Sequence, residues 1–402
     1  MPQETPKEIG TDMPDEFPAE RRTDSAQERP TSADIARPTG APDFALSHPE
    51  FSVRTQGVAK QFDSPEPARE ALRDGSADMV VGAIPFDASR RWALSVPESV
   101  TSSPNPLEPP SFYRSGDFPS FTLASQMPSP RLHRDRVAHA VSVLGSGELD
   151  KVVLARRELF RADRPFDSRA VAARLMSANP NGYGFLTDLS AAGPGYSKHY
   201  LVGSSPELLV RKKGNRVTSF PLAGSTARRT NPDEDEKAAT QLQASAKDLR
   251  EHRYVVEHIA EVLGQFSSSV VAPGVPELLS TRELWHLGTP ISAIVDDPEV
   301  TALDLAAALH PTPALGGAPR QPALDYILAN EEDRRFYGGA VGWCAADGDG
   351  IFMVSIRCGE TDEANRSLTA WGGGGIVSDS DPDSELDETK VKLTTIRKAL
   401  GL

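Results

Sequence analysis

The sequence predicts a mixed α/β fold of the α+β kind. Short apolar runs read as strands and long amphipathic stretches read as helices. The two do not alternate strictly, as they would in a doubly wound sheet. Residues 1–43 come first, rich in Pro, Glu, Asp, Arg, Ser and Thr and poor in large apolar side chains. Such a segment buries too little surface to offset its ordering entropy, so a disordered leader is expected there and a folded domain over 44–402. Met79 to Phe86 reads as a strand, and the Pro- and Ser-rich stretch from Pro97 to Pro130 as a long surface connection. Val137, Ala140, Val141 and Leu144 recur at helical spacing within 131–148. A buried strand follows at Lys151 to Ala155, and a helix at 167–177. Runs starting at Tyr183, Tyr200, Glu207 and Val217 read as successive strands separated by Gly, Pro and Asn turns. One long helix is expected over 234–266, with Leu249, Val256, Ile259, Leu263 and Phe266 along its apolar face. Strands return at 340–343, 351–356 and 368–371. A final helix spans 382–400, with Asp381 as N-cap and Pro382 in the first helical position.

The chain has 402 residues, 38% hydrophobic and 25% charged, enough for one large domain or two ordinary ones with a sizeable core. Its net charge of −14 argues against a general nucleic-acid binder, which needs basic surface to displace counterions. It also requires that any anionic substrate be held by a local basic pocket. The two cysteines, Cys344 and Cys358, lie in apolar runs without metal-ligand spacing and read as reduced, buried thiols of a cytosolic protein. No apolar run is long enough to span a bilayer, and the polar, acidic N-terminus is neither a signal nor a transit peptide.

Several residues could carry chemistry. A lysine leading an apolar strand, as Lys151 does, is ordinarily a solvated strand end; aimed into a closed site beside another cation it could act as a base. Glu207 opens an apolar strand after a Pro turn; alone it is a rim carboxylate, and partly desolvated it could donate a proton to a leaving hydroxyl. Glu251 sits on the long helix, and Glu385 and Glu388 are three apart on the last one, sharing a face. Converging, these three would suit Mg²⁺, a hard ion that takes oxygen ligands; the competing reading places Glu385 in a first turn merely to complement the macrodipole. The tract Gly372 to Gly375 follows a strand and could let exposed N–H groups cradle an anion, but it matches neither a Walker nor a dinucleotide fingerprint. Arg357 is a charge inside an apolar strand, for which bidentate carboxylate recognition is the natural role. His286 and His310 read individually as hydrogen-bonded core histidines.

Taken together, the segments from Lys151 to Leu402 resemble the chorismate-utilising enzymes. The resemblance rests on Lys151 to Arg156, Ser205 to Glu207, Pro221 to Thr226, Leu284 to Leu287 and His310 to Ala314. It continues through Gly338 to Gly342, Ile356-Arg357, Gly374 to Ile376 and Glu385 to Thr389 with Lys392 and Leu393. It is nearest the branch that turns chorismate into isochorismate, particularly in 2,3-dihydroxybenzoate siderophore pathways. The resemblance implies a single large domain of antiparallel sheets sandwiched with helices, a cytoplasmic and monomeric enzyme, and Mg²⁺ as cofactor. It implies Lys151 as general base, Glu207 as general acid, and Glu251, Glu385 and Glu388 at the metal. Substrate contacts are implied at Ala223, Gly224, Ser225, His286, Leu315, Tyr337, Arg357, Gly374 and Lys392.

The sequence departs from relatives in places. Gly373 and Gly374 stand where alanine is common, and Arg250 stands where some carry histidine. Ala223 stands where ammonia-using members carry Thr and the aminodeoxychorismate branch carries Lys, which favours water as nucleophile. Two rival functions are another chorismate enzyme, using ammonia or eliminating pyruvate, and a non-catalytic family member acting as a binding subunit.

Overall fold

The computed structural model describes residues 37–402 except Glu148. Among these residues seventeen strands form one sheet in which every pairing is antiparallel. The strands do not follow chain order. Met79–Ile84 is flanked by Ala93–Ser103 and by Ala340–Ala345. Phe44–His48 joins Phe51–Phe62 to Gly184–Asp188, and the sheet then runs through His199–Gly203, Cys358–Asp362 and Ser367–Ile376 to Lys151–Ala162. A separate three-stranded sheet holds Leu222–Ala227, Leu284–Gly288 and Glu277–Ser280.

The large sheet folds back on itself. Side chains alternate between faces along each strand, so Met79, Val81 and Ala83 point into a core shared with Phe44, Leu46, Leu201 and Trp343. Val80 and Ile84 point the other way, toward helices Pro65–Arg73, Pro130–Leu144, Ala246–Leu263 and Ala302–Leu309. Behind the opposite half, Ala45, Leu186 and Leu368 meet helices Ser168–Ala178 and Pro382–Leu400. Two antiparallel layers with helices outside is the α+β sandwich expected. Asp381 caps the last helix by accepting from Ser384 N, with Pro382 following it. Both cysteines are free and buried. Among the described residues no helix is long and apolar enough to cross a membrane.

Four expectations are corrected. Pro97–Pro130 is not a connection: it holds the end of strand Ala93–Ser103, a short helix at Ser111–Ser115 and the strand Phe121–Met127. The strand ends and Phe121–Met127 are largely exposed, so solvent rather than a core sets much of their composition, while Pro109, Pro119 and Pro128 are buried. The helix expected over 234–266 is two, Pro232–Ala244 and Ala246–Leu263. Ser245 breaks it with extended backbone, its hydroxyl accepting from Asp248 N in competition with a continuous ladder. The Gly372–Gly375 tract is strand, paired residue for residue with Val153–Arg156. Arg357 lies between strands, with φ of +49°, not inside one. Of the leader, residues 1–36 lie outside the described residues. Residues 37–43 lie against the domain: Arg37 pairs with Glu363 at 2.6 Å and Asp167 at 3.3 Å, and Asp43 with Arg169 at 2.8 Å.

Candidate active site

The strand Lys151–Ala162 carries the centre of the site. Its first residues are paired on both edges, Lys151 with Ala318 and Val152 with Gly317 and Ile376. Lys151 is therefore inside the sheet and fully buried, not a solvated strand end. Its Nζ lies 2.9 Å from Glu251 Oε1, an ion pair whose angles do not make a regular hydrogen bond. The break at Ser245 starts a fresh helix, with Leu249 N donating to Ser245 O in its first turn. Lys247 and Glu251 are one turn apart on that helix and so share a face. Glu251 is half-buried at the cleft; desolvation alone would raise its pKa, but Lys151 first, then Lys392 and Lys247, hold it below the ordinary carboxylate value.

Glu207 precedes strand Leu208–Lys213 and is 2% exposed. Burial pushes its carboxyl up to about 7, against the opposing pull of the Leu222 N–H, Arg357, Lys151 and Lys392. It can therefore carry a proton near neutrality. Arg357 is pulled below its usual value by burial, with Tyr337, Glu388 and Glu207 acting the other way. His286 is buried and its Nε2 has no partner. Burial, with Arg357 and Lys392 nearby, holds it well below the ordinary imidazole value, so it is neutral.

Each of the three acids is tied to a lysine. Besides Lys151 with Glu251, Lys247 Nζ meets Glu385 Oε1 at 2.8 Å and Lys392 Nζ meets Glu388 Oε1 at 2.5 Å. Glu385 also accepts from Ser380 Oγ at 2.7 Å, while its Oε2 is buried without a partner. Burial and the like charge of Glu388 raise its pKa. The glycine strand permits this gathering: a Cβ on Gly375 would overlap Glu251 Oε1, and one on Gly374 would lie 2.9 Å from Glu385 Oε2. The acids do not form a ready ligand cage among the described residues. Their oxygen chemistry, their convergence and the orphaned Oε2 nevertheless fit a hard divalent cation.

These groups surround a cleft of about 600 Å³. Of the residues expected at the site, Glu207, Ala223, Gly224, Ser225, Glu251 and His286 line it, as do Leu315, Tyr337, Arg357, Glu388 and Lys392. Lys151, Glu385 and Gly374 do not; Lys151 pairs with Glu251, and Gly374, within the glycine strand, lies against Glu385. Gly224 has φ of +77°, and a Cβ there would lie 3.0 Å from that of Asp248, so only glycine fits without strain. Sequence reasoning missed Val153, Pro206, Leu222, Ala314 and Ile356 on the walls. It also missed Lys247, although the charged pattern Lys247 to His252 was visible. A second cavity of about 630 Å³ shares Pro206 and Arg357 with the first.

The chain matches the family described as chorismate binding enzyme over residues 112–401. It is 42% identical over 373 residues to a Mycobacterium tuberculosis relative named MenF, covering 92% of this chain and 99% of the relative. It is 39% identical over 339 residues to the isochorismate synthase DhbC of Bacillus subtilis, covering 84% of each. The crystal structure of DhbC from Bacillus anthracis superposes with a TM-score of 0.82 at 33% identity, covering 90% of this chain and 96% of that one. With the family matched across most of the chain and relatives aligned over nearly all of it, this protein belongs to the chorismate-binding enzyme family.

Proposed function

We propose that the protein is an isochorismate synthase, a monomeric cytoplasmic enzyme that converts chorismate to isochorismate with Mg²⁺ bound by Glu251, Glu385 and Glu388. The observation that carries this is the pairing around one cleft of a buried acid poised near neutrality, Glu207, with a buried lysine, Lys151. Lys151 takes a proton from a water whose oxygen bonds to C2 of the ring. The ring double bonds shift, the C4–O bond breaks, and Glu207 gives its proton to the departing hydroxyl, which leaves as water. Proton return from Lys151 to Glu207 through solvent closes the cycle. Arg357 and the neutral His286 face the substrate, and Arg357 receives a carboxylate. When bound, Mg²⁺ supplies a positive centre for the other carboxylate of the substrate and offsets the acids around it. The folded unit includes residues 37–43, which dock on the domain that follows, and resemblance to the 2,3-dihydroxybenzoate branch supports a siderophore route for the product.

Water is favoured over ammonia because Ala223 lines the cleft with a methyl group alone. The test is a chromatographic product assay with chorismate and Mg²⁺, repeated with concentrated ammonium at alkaline pH. Isochorismate is expected in both mixtures. Aminated product as the main species, or salicylate, would move the protein to another branch; no product at all would make it a binding subunit.

A further inference from the structure

We propose that the Lys247 ammonium occupies the divalent-cation position while no divalent ion is bound and must swing aside for the ion to enter. The inference rests on the Mg²⁺ reading above. Of the three lysines paired with the acids, Lys151 is fully buried and Lys392 is also anchored by the Gly373 carbonyl at 2.8 Å. Lys247 is different. Its side chain is 31% exposed, it sits in the first turn after the break at Ser245, and its one hydrogen bond among the described residues goes to Glu385 Oε1. Glu385 is 2% exposed, and its other oxygen has no partner.

A buried carboxylate beside two others would be costly without a counter-charge. An ammonium on a flexible stem with a path to solvent supplies that charge and can be withdrawn. A divalent ion taking Glu385 must displace it, so the lysine weakens ion binding while keeping the ion-free protein folded. The two events are coupled, and coupling of this kind ordinarily changes affinity by about 5–150-fold.

The test is calorimetric titration of Mn²⁺ and of Mg²⁺ into the full chain, comparing wild type, Lys247→Met and Lys247→Arg. Lys247→Met should bind each ion at least about fivefold more tightly, and Lys247→Arg, which keeps a competing charge, should not. A Mn²⁺-loaded crystal structure of the wild type should show the Lys247–Glu385 contact broken. Equal or weaker binding by Lys247→Met, or an intact contact beside a bound ion, overturns the proposal. If Lys247→Met does not fold, the wild-type structure with Mn²⁺ decides. If the wild type makes isochorismate only with Mg²⁺ yet the contact persists, the inference fails and the proposed function stands. If no variant takes up either ion, the metal reading fails as well.

Discussion

Two buried charge clusters flank the cleft, and they are built differently. On one wall, Arg334 is satisfied throughout: Nε meets Glu331 Oε2 at 2.7 Å, and the two terminal nitrogens donate to the carbonyls of Leu315 and Val153 at 2.8 and 2.7 Å. Glu331 also accepts from Ala155 N at 2.6 Å. On the other wall, Glu385 Oε2 is buried without a hydrogen-bond partner, and Lys151 Nζ has only its ion pair with Glu251. Native interiors pair nearly all such groups; unpaired ones also occur elsewhere, as at Arg156 and His133, but Glu385 Oε2 and Lys151 Nζ stand beside a cleft where a ligand could complete the set. The satisfied cluster shapes the cleft; the unsatisfied one holds the lysine and acids proposed to work in it.

The contrast can be broken first through stability. Arg334→Met should cost about 3–5 kcal/mol in denaturant unfolding, because it strands Glu331 as an unpaired buried charge. Lys151→Ala should cost clearly less, since Glu251 lines the cleft and can be hydrated. Equal losses would erase the distinction. The second effect is catalytic. Lys151→Ala and Glu207→Ala should each lower turnover at least ~10²-fold in a chorismate assay while remaining folded. Near-normal turnover in either would remove its assigned role.

A pH profile sharpens the comparison further. With Glu207 raised to about 7, its proton-donating form is lost above that pH, so the pH profile of turnover should carry a limb with an apparent midpoint near 7. Glu207→Gln should abolish that limb. The linked stability has a definite sign: the folded value lies above the ordinary 4.5, so the contribution is fully present below 4.5 and is lost as pH rises through about 7. Unfolding measured across that window should show wild type losing stability relative to Glu207→Gln. The smallest effect concerns the leader. Deleting residues 1–36 should leave the melting temperature unchanged, given their composition. Deleting through Asp43 should cost about 1 kcal/mol by removing the Arg37 and Asp43 ion pairs.

Much of this was legible in the sequence where pattern and chemistry coincide. Asp381-Pro382 announced its helix because capping is local, and Lys151, Glu207 and Arg357 announced themselves as charges beside apolar runs. What was hidden depends on neighbours distant in the chain. A glycine run reads as exposed N–H groups open to an anion until its partner Val153–Arg156 is known. Ser245 reads as a helical residue until its hydroxyl takes the Asp248 N–H. Lys247 draws no reading at all, because Glu385, its partner, is 138 residues away.

The order of strands bears on how the chain is made. Met79–Ile84 finds its neighbour Ala340–Ala345, and the Lys151 strand its neighbour Ser367–Ile376, only long after each has been synthesised. Until then both strands have an open edge, and such edges invite pairing with other chains. Loop closure over such separations is slow to reward. The nascent protein therefore holds the Lys151 strand exposed until the glycine strand has left the ribosome, which makes aggregation during expression, rather than instability of the finished molecule, the expected point of failure.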